Sequence, residues 1–372
     1  MQLAELPGHS FPDELTSLKS IDYPWRISPV RDFITELAGD GTYNFIAEHI
    51  DLDDSVFLTA TSSPFNIDWL NRNRYRHIIN LRNLNDIPAL NDFFRSVNAK
   101  IATGGLYVNS AEVFASRKER ILNTMPWPLN RVHYLFDTLF HRIFPMFRLT
   151  KSFYNFITRG KKQIYSKTEI LGRLYYCGFE VLAERYINNR FYFVARKIKE
   201  PVLGKDPHYG LLIRLKRVGK GGQVFNVYKL RTMYAYSEYL QQYVYEKYGT
   251  ANGDKANEDF RVTTAGRICR KFWIDELPML INLIKGDIKI VGVRPLSNHK
   301  FSMYPKEAQE KRCLSKPGLI PPFYADLPDS FPELVDSEMR YIESYIKHPL
   351  KTDLTYLFKA FNNILFKGAR SK

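Results

Sequence analysis

Between residues 41 and 200 the spacing of apolar positions keeps switching period. Ser55 to Ala60 (SVFLTA) reads as a short strand, and Trp69 to Asn80 mixes the two periods. Leu90, Phe93, Phe94 and Val97 recur at helical spacing, so Pro88 to Asn98 predicts a helix. Gly104-Gly105 closes that unit, and a strand begins at Leu106 to Val108. Ser166 to Glu169 fits a capping box, opening a helix through Ile170, Leu171, Leu174 and Tyr175 that ends at Gly178. Phe179 to Tyr186 and Arg190 to Lys197 read as two strands turned through Asn188-Asn189. Residues 1 to 40 carry Pro7, Pro12, Pro24 and Pro29 and read as an irregular N-terminal arm with one helix, Pro29 to Ala38, stopped by Gly39.

Asn130 to Arg159 is different. It is dense in Leu, Ile and Phe, broken by Pro145, and basic apart from Asp137. Two readings stay open: a helix pair lying in an anionic membrane surface, or a buried helix of the first domain.

Glu200 to Pro207 (EPVLGKDP) marks a linker. Beyond it, Gly210 to Leu215 and Val224 to Tyr228 read as strands around a turn at Gly219 and Gly221-Gly222. Arg214, Lys216, Arg217, Lys220, Lys229 and Arg231 are all basic, and no acid falls between Gly210 and Ser237. Such a hairpin offers backbone N–H groups and cations to an anion, and on a strand Lys229 and Arg231 share one side. Tyr236 to Tyr248 predicts a helix, followed by a polar loop to Asn257. Asp275-Glu276 then opens a helix through Leu277, Leu280, Ile281 and Ile284, before a strand from Asp287 to Val293. The pair suits a helix start, as cap and first-turn acid. It also suits phosphoryl chemistry: a carboxylate nucleophile needs cations to neutralise the phosphates, and a second carboxylate can hold Mg²⁺. Arg261, Arg267, Arg270, Lys271 and Arg294 flank it. Near the C-terminus, Leu354, Leu357, Phe358, Phe361, Ile364 and Leu365 form one helical stripe over Asp353 to Phe366, suited to core packing or to a membrane surface.

Composition narrows the partner. The 372-residue chain carries a formal charge of +15, which points to an anionic partner. Aromatic content of 15% supplies a packed core. Cys177, Cys269 and Cys313 show neither metal nor disulfide spacing, so a reducing compartment is expected. The N-terminus lacks the pattern of a signal peptide, and no apolar run is long enough to span a bilayer.

In order and spacing, KRVGKGGQVFNVYKLRTM, DFRVTTAGRICRKFWIDELPMLINLIKGDIKIVGVRPLS, KPGL and YIESYIKHPLKTDLTYLFK resemble the bacterial sugar transferases, the monotopic phosphoglycosyltransferases. The resemblance covers nearly all of the second domain. It implies transfer of a sugar-1-phosphate from a UDP-sugar to polyprenyl phosphate with release of UMP, initiating lipid-linked glycan synthesis. It further implies that Asp275 is the nucleophile forming a covalent phosphosugar–aspartate, and that Glu276 binds Mg²⁺ or deprotonates the acceptor. Arg217, Lys229, Arg231, Arg261, Arg270 and Arg294 would bind phosphates or nucleotide. The implied place is the cytoplasmic face of the bacterial inner membrane, with downstream glycosyltransferases or a second copy as further partners. Three departures stand out: FYFVARKIKEPVLGKDPHYG where the family has an apolar re-entrant helix, Pro317 to Pro322 (PGLIPP) where it has a PGITG-type segment, and Met279 for its usual glutamine. More loosely, the first half resembles a methyltransferase-like Rossmann fold whose glycine-rich loop is missing.

The expected fold is mixed α/β: the arm (1–40), a degenerate Rossmann-like domain (41–200), and an α+β phosphoglycosyltransferase domain with amphipathic interfacial helices (201–372). The alternative function is a peripheral nucleotide-sugar-binding relative with another acceptor or no activity. A nucleic-acid partner is not expected, because no binding module accompanies the charge and the cations gather around a carboxylate pair.

Overall fold

A computed structural model describes residues 27–146, 148–201, 204, 206–248 and 259–368. The chain is mixed helix and strand and divides into two compact units: Met1–Lys167 with Leu174–Val202, and Thr168–Arg173 with Leu203–Lys372.

The first unit runs α1 (Ile27–Ala38), α2 (Asp40–Ala47), β1 (Val56–Thr59), α3 (Pro64–Asp68), β2 (His77–Asn80), α4 (Leu90–Lys100), β3 (Leu106–Ala111), α5 (Phe114–Thr124), α6 (Leu129–Thr138), α7 (Arg148–Thr158), the ends of α8 (Lys167–Tyr176), whose middle, Thr168–Arg173, is assigned to the second unit, then β4 (Phe179–Ile187) and β5 (Arg190–Lys197). Its sheet has the order β1-β2-β3-β5-β4. The first three strands are parallel, and β5 pairs antiparallel with both β3 and β4. Parallel neighbours need crossovers, which α3 and α4 supply. The β4–β5 hairpin turns through Asn188 and Asn189, both left-handed (φ 47° and 63°), a conformation asparagine tolerates.

The boundary expected at residue 40 is corrected. Ile34 of α1 and Phe45 and Ile46 of α2 are buried with Ile79, Val108 and Val194 of the sheet. Residues 27–47 therefore belong to the first unit, because α1 is amphipathic and its apolar side covers the sheet. The remainder of the expected arm lies outside the described residues. The segment around Pro145 is two helices, α6 and α7, joined by a π-helical turn (Leu139–Ile143) and a 3₁₀ turn (Phe144–Met146).

The second unit runs β6 (Leu212–Val218), β7 (Val224–Leu230), α9 (Gln241–Tyr248), α10 (Thr264–Lys271), α11 (Met279–Ile284), β8 (Lys289–Val291), α12 (Asn298–Ser302), α13 (Lys306–Cys313), β9 (Gly318–Ile320), α14 (Phe323–Asp326), α15 (Phe331–Lys347) and α16 (Pro349–Phe366). β6 and β7 form an antiparallel hairpin, and β8 pairs parallel with β9. The loop expected up to Asn257 lies outside the described residues. Val291 and Val293 pack with Tyr341 and Ile342 of α15. Tyr341 Oη lies within hydrogen-bond reach of two acceptors, the Val291 carbonyl at 2.9 Å and Asp353 Oδ1 at 2.6 Å, tying α15, α16 and β8 together.

The C-terminal stripe divides: Leu357 packs against the Val291, Val293, Tyr341 and Ile342 cluster and Ile364 is half-buried, while the rest faces outward. Leu354, Phe358, Phe361 and Leu365 are exposed, Phe358 at 70%. α16 instead buries Thr352, Ala360 and Asn363. Ala360 permits close approach, and Asn363 Nδ2 donates to the carbonyls of Tyr324 (3.0 Å) and Ala325 (2.8 Å). Those bonds satisfy the backbone of α14, so the helix packs by Ala360 and Asn363 there and by Tyr356 and Leu357 on the β8–α15 core, leaving Leu354, Phe358, Phe361 and Leu365 outward. Among the described residues, no helix is long and apolar enough to cross a membrane.

Candidate active site

The Asp275-Glu276 pair sits in a 3₁₀ turn, Ile274–Glu276, before α11. Trp273 precedes it in the left-handed region (φ 54°), and Pro278 takes the cap position of α11 with no side-chain cap bond. Neither carboxylate caps the helix, so the helix-start reading of the pair does not describe its contacts. The left-handed Trp273 turns the chain between α10 and the pair, and its Nε1 donates to Tyr324 Oη at 2.9 Å.

The basic hairpin is stapled beside this turn by Asn282 of α11, which is fully buried. Its Oδ1 accepts from the Tyr228 N–H at 3.0 Å, and its Nδ2 donates to the Asn226 carbonyl at 2.7 Å. Val227, Met279 and Ile288 pack beneath. Lys229 Nζ thereby reaches Glu276 Oε1 at 2.5 Å, and Arg294 Nη2 lies 3.6 Å from the same oxygen. Gly292 and Gly318 make the crossing of β8 and β9 possible: a Cβ on Gly318 would stand 2.1 Å from the Gly292 nitrogen. That close crossing delivers Arg294 at the end of β8.

A cavity of about 250 Å³ opens here. Arg217, Lys229, Arg294 and Lys300 line it, and Glu276 is the one acid among its lining residues. Burial and the neighbouring Arg294 charge both push the Arg217 guanidinium below its usual range. Like charges held this close, and partly buried, are a site whose electrostatics an anion relieves.

Of the residues singled out from sequence, Glu276, Lys229, Arg217 and Arg294 meet at the cavity. Asp275 is adjacent to it, half-buried, and not among its lining residues. Burial is the main cause that raises the Asp275 carboxyl above the usual aspartate range; Glu276 adds to the rise, while Lys229 and Arg270 oppose it. Arg270 places Nε on Thr232 Oγ1 at 2.9 Å, held by the approach of α10 to Thr232, where a Cβ on Gly266 would stand 2.1 Å from the Thr232 carbonyl.

Arg231 and Arg261 are not brought to the cavity. β7 ends at Leu230, so strand alternation does not carry Arg231 to the side of Lys229. Arg231 Nε donates to the Gly210 carbonyl at 2.9 Å, and its guanidinium lies over the Tyr209 ring. Arg261 is buried, pairs with Asp259 at 2.7 Å and donates to Gln241 Oε1 at 2.9 Å. Ser297, Lys300, Phe323 and Tyr324 line the cavity and were not singled out beforehand. Ser297 caps α12, accepting from the Lys300 N–H, and the serine after the VGVRP run is the signal that placed Lys300 one turn into a helix.

A resident metal cage is not formed: among the described residues, no three His, Cys, Asp or Glu side chains converge. The Asp275-Glu276 pair fits Mg²⁺ in one mode, in which one or two carboxylates hold the ion and substrate phosphates and water complete its shell.

Residues 202–367 match the family model described as bacterial sugar transferase. This segment is a bacterial sugar transferase domain. The curated relatives include the exopolysaccharide production protein ExoY of Sinorhizobium fredii, 38% identical over 28% of this chain and 48% of that protein. The galactosyl transferase CpsE of Streptococcus agalactiae is 32% identical over 35% of this chain and 29% of that protein. The undecaprenyl-phosphate galactose phosphotransferase of Salmonella typhimurium is 31% identical over 40% and 32%. The chain thus spans between 29% and 48% of these relatives' length. Among solved structures, a SAM-dependent methyltransferase from Methanosarcina mazei covers 36% of this chain and 63% of its own at 14% identity and a TM-score of 0.24, a likeness too slight to carry a structural argument. The sugar transferase domain contains the acidic pair, the basic hairpin and the cavity.

Proposed function

We propose that the chain is a phosphoglycosyltransferase that moves a sugar-1-phosphate from a UDP-sugar to polyprenyl phosphate and releases UMP. The supporting observation is the cavity: four cations and one acid beside a half-buried aspartate. Names of relatives agree; undecaprenyl-phosphate phosphotransferases for galactose and N-acetylgalactosamine are among them.

In this reading Asp275 Oδ attacks the β-phosphorus of the donor. The bond from that phosphorus to the bridging oxygen breaks, and the oxygen leaves with UMP. An aspartyl phosphosugar remains. A phosphate oxygen of the polyprenyl acceptor then attacks the same phosphorus, the aspartyl bond breaks, and the carboxylate is restored. Arg217, Lys229, Arg294 and Lys300 hold the donor phosphates and offset the charge that builds on them. A carboxylate raised by burial is more basic than an ordinary aspartate and is a better nucleophile once ionised. Mg²⁺, held by Glu276 and the donor phosphates, would neutralise the leaving diphosphate oxygen. Arg231 and Arg261 act on the fold and not on substrate.

The acceptor is a lipid, and the outward apolar side of α16, with exposed Ile284 and Leu280 on α11, suits contact with the cytoplasmic membrane surface. The first unit is read as a degenerate Rossmann-like module that does not transfer methyl groups, since the segment after β1 has no glycine to admit a cofactor.

The test is UMP release from a panel of UDP-sugars with Mg²⁺ and short polyprenyl phosphate, comparing wild type with Asp275→Asn. Release by wild type alone supports the reading, and the productive donor identifies the sugar. Release by neither, in detergent and in liposomes, overturns it.

A further inference from the structure

A second surface lies outside the sugar transferase segment. α6, the π-helical turn and α7 pack inward through aromatic rings: Phe140 is 5.6 Å from Phe144 and 5.4 Å from Tyr154, centroid to centroid. Outward, α6 has no buried residue at all. Trp127, Leu129, Val132 and Phe136 are exposed on and just before α6, and Phe153 and Phe156 on α7, Trp127 at 79% and Phe156 at 85%. A folded protein seldom leaves so many large apolar side chains to water without use.

Asp137 apart, the charges along these helices have one sign. Asp137 is the one acid between residues 130 and 162. Its side chain is 8% exposed, and Arg117 takes both its oxygens, at 2.9 and 2.6 Å. Residues 130 to 162 therefore present no negative charge outward; the exposed Glu119 belongs to the neighbouring α5. Arg131, Arg159, Lys161 and Lys162 are exposed. The turn that carries the last three is tied to the helices: Tyr154 Oη donates to the Lys161 carbonyl at 2.6 Å, and Arg142 Nη1 to the Ile164 carbonyl at 2.8 Å. Rings beside fixed cations, with the sole acid neutralised internally, match a bilayer bearing acidic headgroups: rings enter the acyl boundary and cations meet phosphates. A second protein's apolar face would use the rings and leave the cations unexplained.

We propose that the α6–α7 pair seats the first unit on an anionic bilayer surface, as a docking site separate from the sugar transferase domain. The proposal does not rest on the sugar-transfer reaction; absence of UMP release would leave it standing.

The experiment is co-sedimentation of the full chain with phosphatidylcholine vesicles, with and without phosphatidylglycerol. Two variants are compared with wild type: Phe136→Glu/Phe156→Glu and Lys161→Ala/Lys162→Ala. All four positions are exposed and outside the cavity, and a thermal melt checks that each variant folds. The glutamate variant is expected to lose most vesicle binding. The alanine variant is expected to lose about five-fold per cation on anionic vesicles and nothing on neutral ones. Unchanged binding of the glutamate variant overturns the proposal. So does an equal loss of the alanine variant on both vesicle types. A wild-type dimer that the glutamate variant dissociates, with vesicle binding retained, would also overturn it and assign the surface to a second copy.

Discussion

At the scale of residues, adjacent carboxylates have different surroundings. Glu276 is held by Lys229 and Arg294, while Asp275 is raised by burial. Asp275 carries three predictions. Its folded carboxyl titrates above the ordinary aspartate range, so the folded state holds that proton more tightly than the unfolded chain. The ionised carboxylate therefore costs stability once pH rises through the folded value, and Asp275→Asn should melt at or above the wild-type temperature at neutral pH. The same variant should lose UMP release by about 1,000-fold or more, and the wild-type rate should fall on acidification sooner than an ordinary aspartate would require. Lys229→Met should lower kcat/KM for the donor by about 100-fold, because it removes a cavity cation and leaves Glu276 with Arg294 alone. Arg261→Met is the contrast. Loss of a buried partner strands Asp259 and should destabilise the fold by about 3 kcal/mol, while donor KM in the surviving folded protein stays unchanged. Chemical denaturation and steady-state kinetics separate the two effects. Of the eight residues singled out for substrate, metal or catalysis, Arg217, Lys229, Glu276 and Arg294 line one cavity, while Arg231, from the same basic run, turns to the Gly210 carbonyl. Arg261 looked the same in sequence, and only its pairing with Asp259 distinguishes it.

At the scale of elements, Asn282 joins the hairpin to α11. Asn282→Ala would leave the Tyr228 N–H and the Asn226 carbonyl without their partner, a cost of about 2 to 3 kcal/mol, read as a lower denaturation midpoint. UMP release should also weaken, since Lys229 rides on that hairpin. Helices and the β4–β5 turn were largely legible from spacing and from Asn188-Asn189. The start of α11 was not. A hydrophobic period beginning at Leu277 suggests a helix opening on the carboxylates, but Trp273 turns left-handed and Pro278 restarts the helix, so the pair lies in a tighter turn. The α16 stripe left two readings open for another reason: periodicity reports that one side is apolar, and not how much of it the neighbours cover; Leu357 is covered and Phe358 is not. Here a small side chain, Ala360, and a hydrogen-bonding one, Asn363, fit closer to α14 than leucine and phenylalanine would.

At the scale of the whole molecule, the two proposed membrane contacts, with a charge of +15, predict a graded attraction to acidic membranes. Raising salt should weaken vesicle binding without abolishing it, because screening removes the cationic contribution and leaves the apolar one. Phe358→Ser/Phe361→Ser on α16 should reduce binding to neutral and anionic vesicles alike, in contrast to the lysine variant of the first unit; co-sedimentation across a salt series reads both.

Taken by itself, the sequence determined the local features: turns, caps, most helices, the acidic pair and the density of cations around it. These depend on residues a few positions apart, whose conformational preferences act before any distant contact forms. Which cations share a cavity, which are consumed by internal partners, which side of α16 faces outward, and that α1 and α2 complete the first core were decided by the tertiary structure. Each is an outcome of competition among distant surfaces for burial and for hydrogen-bond partners, and that competition is resolved only when the strands and helices are packed.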